Sequence, residues 1–311
     1  MTVDPPAPVR SAADRGGAPD PGAALWAEHR SLLFTIAYEI TGSAADAEDV
    51  VSDCYLRWRS VDPATVDAPR PYLARIATRQ ALNLVRTRQR RREDYVGPWL
   101  PEPLLTVPDV ADDAVLAESV SIAMLLVLQT LSPDERAVFL LREVFAFPHA
   151  EIAGAMGRSE AAVRQLAHRA RSAVQSRRPR FDTDARANAA VLERFWTAAV
   201  SGDVQGLMDV LAPDVVLLAD GGGRVSAARR PVSGRDDVAR FLLGLAGKGV
   251  AASWTFVPAT VNASAGLLAY LGEVLDSASA VDVEDGRIVR IFYVRNPDKL
   301  AGLSGPATLA R

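Results

Sequence analysis

Apolar residues recur every three or four positions through the first part of the chain, a pattern that predicts amphipathic α-helices. One such run covers 25–40 and stops at Gly42. The next covers 44–59 and follows Ser43, which forms an S-x-x-D helix start with Asp46. Both runs have one continuous apolar face, so they are expected to pack against each other in a helical module.

A third helical run follows and combines an apolar face with a basic one. The apolar positions are Leu73, Ile76, Ala77, Ala81, Leu84 and Val85. The arginines opposite them and at the end of the run are Arg75, Arg79, Arg86, Arg88, Arg90 and Arg91. Positions 70–92 hold eight arginines and no acidic residue. A charged helix face is usually just solvated, but a second basic helix further along favours a nucleic-acid surface.

The sign of the charge reverses directly after this helix. Positions 93–118 hold seven carboxylates and no Lys or Arg. Prolines stand at positions 98, 101, 103 and 108, so residues 93–113 are predicted to form an extended linker rather than a helix. The apolar residues Trp99 and Leu100 are candidates for anchoring this linker locally.

Helical spacing resumes in 114–178 and contains a helix-turn-helix pattern. A short apolar helix ends at Gly157, Ser159 is placed to cap the next helix, and that helix is basic on one side. The candidate DNA contacts are Arg158, Ser159, Arg164, Gln165, His168, Arg169 and Arg171. An ordinary helical hairpin is the alternative, but it would not need so basic a second helix.

The spacing of apolar residues changes in the last third of the chain. A helical run at 184–200 is followed by four predicted strands, at Val215–Leu218, Trp254–Val257, Gly266–Val274 and Ile288–Val294. Glu284-Asp285-Gly286 is a hairpin turn signal before the last strand. The predicted fold class is therefore multidomain: two all-α modules, the second with a helix-turn-helix, and then an α+β domain.

Composition narrows the function classes. The chain of 311 residues is 49% hydrophobic and 23% charged, with a net charge of −3 that conceals the local segregation described above. Cys54 is the only cysteine, which excludes an internal disulfide and a CxxC zinc site. The three histidines are dispersed, so neither a metal site nor a cofactor is expected. Residues 1–22 lack an apolar signal-peptide core and are predicted to be disordered, and no run is long enough to span a membrane. A cytoplasmic location is expected.

Two helical modules that each end in a basic helix, joined by an acidic linker, resemble the extracytoplasmic-function sigma factors of bacterial RNA polymerase. Asp46-Ala47-Glu48-Asp49-Val50-Val51 with Leu56-Arg57-Trp58 resembles their polymerase-binding helix. Tyr72-Leu73 with Ile76-Ala77 resembles the start of their −10 element helix, and the basic helix after Ser159 resembles their −35 recognition helix. The resemblance covers about residues 25–175. Arg79 and Asn83 stand where most of the wider group has Asn and Asp.

Three further motifs resemble a subgroup, the SigJ-like sigma factors with a fused SnoaL-like C-terminal domain. They are Trp99-Leu100-Pro101-Glu102-Pro103, Asp220-Gly221-Gly222-Gly223-Arg224 and Asn296-Pro297-Asp298-Lys299-Leu300. The resemblance implies a region 2-like module at 23–92, the linker at 93–113, a region 4-like module at 114–178, an NTF2-like cone domain at 184–302 and a tail at 303–311. It also implies that the fused domain modulates sigma activity, and we expect Asp220–Arg224 and Asn296–Leu300 to contact the linker or the sigma modules.

The implied function is a sigma factor that binds core polymerase and directs it to −35 and −10 promoter elements. The polymerase-binding candidates are Asp46, Glu48, Asp49, Asp53, Arg57 and Trp58, although the first-turn acids also suit a helix dipole. The resemblance implies that the linker threads the RNA path of the polymerase, and its carboxylates suit a positively charged channel.

Two alternatives remain at this stage. The first is a helix-turn-helix regulator that binds DNA without polymerase. The second is an isomerase- or cyclase-like enzyme in the C-terminal domain, where an apolar pocket and a small ligand are conceivable and Asp203, Asp214 or Asp220 could serve as acid or base. The expectation is a regulatory domain without catalytic residues.

Overall fold

The structure is a computed structural model, which describes residues 21–93, 95–107, 110, 113–177, 185–246, 254–303 and 305–311. Most of the N-terminal tail predicted to be disordered, residues 1–20, therefore lies outside the described residues, as does the connection at 178–184. Among the described residues, no helix has the length and apolar character needed to cross a bilayer.

The first helical module contains three long helices. They are α1 (Pro21–Thr41), α2 (Ala44–Trp58) and α3 (Pro69–Glu93), with a short 3-10 turn at Pro63–Thr65. Ser43 caps α2 by accepting a hydrogen bond from the amide of Asp46, as the S-x-x-D pattern predicts. The Trp58 indole is buried and donates to the carbonyl of Gly22 over 2.7 Å, which ties the end of α2 to the start of α1.

The second helical module contains the helix-turn-helix. Its helices are α4 (Ala114–Val120), α5 (Ile122–Gln129), α6 (Pro133–Phe139), α7 (His149–Met156) and α8 (Glu160–Gln175), with a π turn at Leu140–Val144. Ser132 and Glu135 form a capping box at the start of α6. Gly157 ends α7 in the left-handed conformation, and the Ser159 hydroxyl caps α8. Helices of both modules share one apolar core, so the two modules pack closely together.

The C-terminal domain is α+β. Its helices are α9 (Ala185–Ser201), α10 (Val204–Val210), α11 (Arg235–Ala246) and α12 (Pro297–Leu300). Its strands are β1 (Leu211–Asp220), β2 (Val232–Ser233), β3 (Trp254–Val261), β4 (Ser264–Leu271), β5 (Val274–Glu284) and β6 (Arg287–Val294). The sheet has the order β2-β1-β6-β5-β4-β3, in which only β1 and β6 run parallel.

The fold class predicted from the sequence is confirmed, but one strand assignment is wrong. The predicted strand Gly266–Val274 is two strands, since the chain turns at Gly272 with φ +61°. Most of β5 escaped prediction because its face toward the helical modules carries Ala278 and Ala280, small residues that give no apolar alternation. The helix α11 also escaped prediction.

The two faces of the sheet have different partners. One face is covered by α9, α10 and α11, with Phe195 and Val238 fully buried against it. The other face packs on Leu100 of the linker and on Ile122 and Ala123 of α5. The linker is therefore enclosed between the helical modules and the C-terminal domain.

Candidate functional site

The helix α8 presents the predicted recognition residues on its open side. Its apolar side, which includes Val163 and Leu166, is buried, while Arg164, Gln165 and His168 are exposed. The remaining arginines form ion pairs within the second module, Arg169 with Glu135 over 3.0 Å and Arg171 with Glu143 over 2.5 Å, and Arg164 pairs with Glu160. These arginines remain about half exposed, so a polyanion could compete for them.

Two arginines on the basic side of α3, Arg79 and Arg86, contact the second module. Arg79 donates to the carbonyl oxygens of Ala155 over 2.6 Å and of Gly154 over 3.0 Å. Arg86 pairs with Asp134 over 2.7 Å. Arg75 lies over the ring of Tyr72, and Arg88 pairs with the buried Asp46. The side chains of Arg90 and Arg91 lie outside the described part of the chain.

The predicted polymerase-binding residues divide into two groups. Asp46 and Trp58 are buried, and Asp46 pairs with Arg88 of α3. The exposed ones are Glu48, Asp49, Asp53 and Arg57, of which Glu48 pairs with Arg30 and Asp53 accepts from Gln80. Two apolar side chains of the same helix are also exposed, Tyr55 by 38% and Leu56, part of the motif predicted from the sequence, by 64%. Together they give α2 an apolar surface patch bordered by charge.

Asp220 is the centre of a hydrogen-bonded cluster that holds the linker. Its carboxylate is fully buried and accepts from the Tyr95 hydroxyl over 2.5 Å, the Leu100 amide over 2.8 Å and the Lys299 ammonium over 2.7 Å. Asn296 Nδ2 donates to the Tyr95 hydroxyl over 2.9 Å. We call these five residues (Tyr95, Leu100, Asp220, Asn296 and Lys299) the linker clamp. Burial, and next the contact with Asp220, raise the pKa of Tyr95.

Lys299 supplies the positive charge of the linker clamp. Its ammonium also donates to the carbonyl oxygen of Leu100, and it lies 4.1 Å from the ring centre of Trp99 and 4.8 Å from that of Tyr95. The side chain is only 8% exposed. Removing the carboxylate and the aromatic rings would leave a buried ammonium group without partners, which would lower the free energy of unfolding.

The three glycines of the Asp220–Arg224 motif follow the carboxylate directly. Gly222 has φ +60°, and a Cβ atom added to it would lie 2.3 Å from Asn296 Nδ2. Any other residue would therefore displace Asn296 from the linker clamp. Gly222 also donates its amide to Asp220 Oδ1 over 3.0 Å. At the end of the motif, Arg224 forms an exposed ion pair with Asp298.

The other side of the linker is bound to the first helical module. Glu102 accepts from the Ser43 hydroxyl over 2.7 Å and the Ala45 amide over 3.1 Å, and its own amide donates to the carbonyl of Gly42 over 2.9 Å. A Cβ atom on Gly42 would lie 2.8 Å from Trp99 Cη2, so this approach also requires glycine. Pro101 and Pro103 are buried between these contacts. The linker thus touches both neighbours through residues of a single motif.

Asn262, in the turn between β3 and β4, joins all three parts of the chain. Its side chain accepts from the amide of Leu104 over 2.9 Å and donates to the Tyr38 hydroxyl over 2.7 Å and to the carbonyl of Val120 over 2.8 Å. It is fully buried with φ +53°. Sequence reasoning missed it, and the only local signal is an Asn at a turn, where a positive φ is tolerated.

The chain end returns to the linker. Thr106 donates its amide to the carbonyl of Thr260 on the edge strand β3, and Ala307 donates its amide to the carbonyl of Leu105 over 2.8 Å. Residues 104–106 therefore lie between β3 and the C-terminal tail. The tail continues to α1, where the amide of Ala310 donates to the Thr35 hydroxyl over 3.1 Å.

The three aspartates that the sequence offered as candidate acids or bases do not form a common site in the structure. Asp203 caps α10 by accepting from the amide of Gly206, Asp214 is exposed, and Asp220 belongs to the linker clamp. Apolar side chains around Phe195 form the core between the sheet and its helices. Two cavities lie elsewhere, one of about 330 Å³ beside Trp99 and Glu102 and one of about 440 Å³ at the start of α11. Within the described ranges, no cluster of residues is suited to a metal ion.

Glu39 of α1 is a buried carboxyl group at the contact between α1 and α4. It accepts from the Ser119 hydroxyl over 2.6 Å, and its other oxygen has no hydrogen-bond partner among the described residues. Burial raises its pKa from 4.5 to about 8, against the opposing effect of Ser119. Since the folded chain holds the proton more tightly than the unfolded chain, the free energy of unfolding should fall as pH rises through this interval.

We expect Glu39→Gln to remove this fall, because glutamine stays neutral at every pH. The check is urea denaturation of both proteins between the two pKa values, 4.5 and about 8. The variant should gain most, relative to the parent chain, at the upper end of this range. Glu48→Gln is the matched control because Glu48 lies in an exposed ion pair. Parallel pH profiles for the parent and Glu39→Gln would contradict the expectation.

Comparison with known proteins gives the family. Residues 25–91 match the family described as Sigma-70 region 2, and residues 121–174 match Sigma-70, region 4. The chain is 39% identical over 285 residues to the ECF RNA polymerase sigma factor SigJ of Mycobacterium tuberculosis, which covers 88% of this chain and 91% of that protein. A protein of the same species described as "Probable ECF RNA polymerase sigma factor SigI" is 29% identical over 291 residues, covering 90% of this chain and 95% of that protein.

The fold agrees with the sequence. The crystal structure of M. tuberculosis SigJ aligns with a TM-score of 0.71 and 35% identity, covering 91% of this chain and 99% of that one. The alignment therefore includes helical modules as well as most of the C-terminal domain. The chain belongs to the extracytoplasmic-function family of sigma factors, the subunits that bind core RNA polymerase and direct it to promoters.

Proposed function

We propose that this sigma factor contacts promoter DNA through α8 and α3 and that its own C-terminal domain restrains it by holding the linker. The observation that carries the proposal is the burial of the linker between two surfaces, each bonded to it by polar groups. A linker in this position is not available to the polymerase. Transcription would then require the linker clamp to open.

The proposed promoter contacts follow from the chemistry of the exposed side chains. On α8, Arg164, Gln165 and His168 would read base edges of the −35 element, because Arg and Gln form bidentate bonds with guanine and adenine. The residues proposed to bind phosphates there are Arg158, Ser159, Arg169 and Arg171. On α3, the arginines proposed to hold the −10 region are Arg75, Arg79, Arg86, Arg88, Arg90 and Arg91. Their charge favours DNA in a salt-dependent way.

The proposed polymerase contact is the exposed side of α2. Asp49, Asp53 and Arg57 provide charge around the apolar patch of Tyr55 and Leu56. Apolar side chains bordered by charged ones are typical of a protein–protein interface. The released linker, rich in carboxylates, would then enter the positively charged RNA path of the polymerase.

The C-terminal domain is proposed to act by binding its own linker rather than by catalysis. Asp220 is committed to Lys299, Tyr95 and the Leu100 amide, which leaves it no free oxygen to act as a base. The described residues give no separate support for a small ligand inside this domain. We propose the same domain boundaries that the sequence predicts.

Run-off transcription with purified core polymerase and a matched promoter tests the proposal. Arg164→Ala combined with Gln165→Ala should lower the transcript by about 30-fold or more, since each of two good bidentate contacts to a base contributes roughly 1–3 kcal/mol. Arg240→Ala is the control, because Arg240 is an exposed arginine of the C-terminal domain that pairs with Asp237. Equal transcript from both variants would remove α8 as the reading helix.

A further inference from the structure

Asp134, in the first turn of α6, binds two arginines that come from different modules. Its carboxylate accepts from Arg86 of α3 over 2.7 Å and from Arg158 of the helix-turn-helix. The Asp134 side chain is 18% exposed, whereas the two arginines remain about half exposed. One carboxylate therefore bridges the basic surfaces of both modules.

The same face of the second module offers another acceptor to α3. Arg79 donates to the carbonyl oxygens of Gly154 and Ala155 in the last turn of α7. Carbonyl groups at a helix C-terminus carry partial negative charge and have no partners within the helix. Two arginines proposed to hold the −10 region are thus already bonded to negative groups of the second module.

The carboxylate of Asp134 is chemically similar to a DNA phosphate in this position. Both groups present two oxygens that share a negative charge and accept hydrogen bonds from guanidinium groups. Phosphate contacts made by Arg are also the contacts that carry nonspecific affinity for DNA. Duplex DNA and Asp134 would therefore compete for the same donors, Arg86 and Arg158.

We propose that Asp134 is an internal phosphate mimic that lowers the affinity of the free sigma factor for nonspecific duplex DNA. It holds the promoter-facing arginines of the two modules on each other until polymerase binding separates the modules. This restraint lies within the helical modules and is separate from the linker clamp. It rests on the proposed function, because it takes Arg86 and Arg158 to be DNA contacts.

The capping box at the start of α6 is independent of Asp134. The helix is capped by Ser132 and Glu135, which form the capping box without Asp134. Neutral substitution therefore removes the bridge and leaves the cap in place. The Ser132 hydroxyl, and the Arg169 guanidinium after it, hold the pKa of Glu135 below its usual range, so the cap stays charged at neutral pH.

The test measures how tightly the full chain, without polymerase, binds a duplex of about 30 base pairs of unrelated sequence. Fluorescence anisotropy gives the affinity over a series of salt concentrations. Asp134→Asn should bind about three- to tenfold more tightly than the parent chain, the size expected for release of two partly exposed ion pairs. The slope of log K against log salt should become steeper by about 0.9 for each arginine released.

Asp237→Asn is the matched control, because it makes the same charge change at an exposed ion pair of the C-terminal domain. Asp134→Ser serves as a second neutral variant, and thermal melting verifies that each protein is folded. DNA affinity and salt slope equal to those of Asp237→Asn would overturn the proposal.

Arg86→Gln with Arg158→Gln, added to Asp134→Asn, separates the mimic from the proposed DNA contacts. If the added substitutions abolish the gain of Asp134→Asn, the mimic is supported. If Asp134→Asn behaves like the control, the mimic is refuted, and the proposed contacts stand if the triple variant binds DNA more weakly than Asp134→Asn. If the triple variant binds as tightly as Asp134→Asn, the proposed contacts fail and the mimic with them.

Discussion

Lys299→Met should lower the free energy of unfolding by about 3–5 kcal/mol, the cost of leaving one partner of a buried ion pair without the other. Asp220 is fully buried, so its charge would face a methyl thioether in place of an ammonium group. The Leu100 carbonyl would lose a donor at the same time. Urea denaturation measures the loss, and limited proteolysis at the linker locates it.

Arg224→Met is the control for Lys299→Met. Arg224 lies in the same region, but its ion pair with Asp298 has both side chains more than half exposed, so its loss should change stability little. Adding Asp220→Leu to Lys299→Met should recover part of the stability, because the unpaired buried charge is gone. Equal effects of Lys299→Met and Arg224→Met would show that the buried pair does not hold the linker.

The proposed restraint gives the same substitution a functional consequence. A linker freed from the linker clamp is available to core polymerase, so run-off transcript from Lys299→Met should exceed that from the parent chain at equal concentration. Arg224→Met should leave the transcript unchanged. Lower transcript from a folded Lys299→Met protein would contradict a restraining role for the clamp.

Asn262→Ala should be about as costly as the loss of Lys299. The substitution leaves the Leu104 amide and the Val120 carbonyl buried without a side-chain partner, and each such group costs about 1–3 kcal/mol. The Tyr38 hydroxyl also loses the amide that donates to it. Because these groups belong to the linker and to both helical modules, the unfolding transition should lose cooperativity between the C-terminal domain and the rest.

Asp285→Ala is the matched control for Asn262→Ala. Asp285 has φ +51° in the hairpin between β5 and β6, close to the φ +53° of Asn262, but none of the described hydrogen bonds links it to another module. The two alanine substitutions therefore share the backbone cost and differ in the buried hydrogen bonds. Equal destabilisation would assign the whole effect to the backbone conformation.

Local signals were sufficient to predict the main helical runs of the two helical modules and two of their caps. Ser43 and Ser159 each accept the hydrogen bond that their position in the sequence predicts. Periodicity also separated the helical modules from the α+β domain, because the two classes of structure bury every third or fourth residue and every second residue respectively. The resemblance identified the motifs that contain Asp220 and Lys299, but it did not predict the hydrogen bonds between them.

What the sequence does not give is contact between distant parts of the chain. Asp134 is, in the sequence, an ordinary acid in the first turn of a helix, and only the packing of the modules brings Arg86 and Arg158 to it. Asn262 is an ordinary turn residue until the linker lies beside it. The burial of Asp46 likewise depends on the packing of α3, which brings Arg88 to it.

The position of the C-terminal tail has a consequence for synthesis. The Ala307 amide bonds to Leu105, and Asn262 bonds to Tyr38 across 224 residues of chain. Ribosomes release the helical modules first, and domains generally fold in that order. Every nascent molecule therefore passes through a period in which both helical modules have emerged and the residues that enclose the linker have not yet been translated.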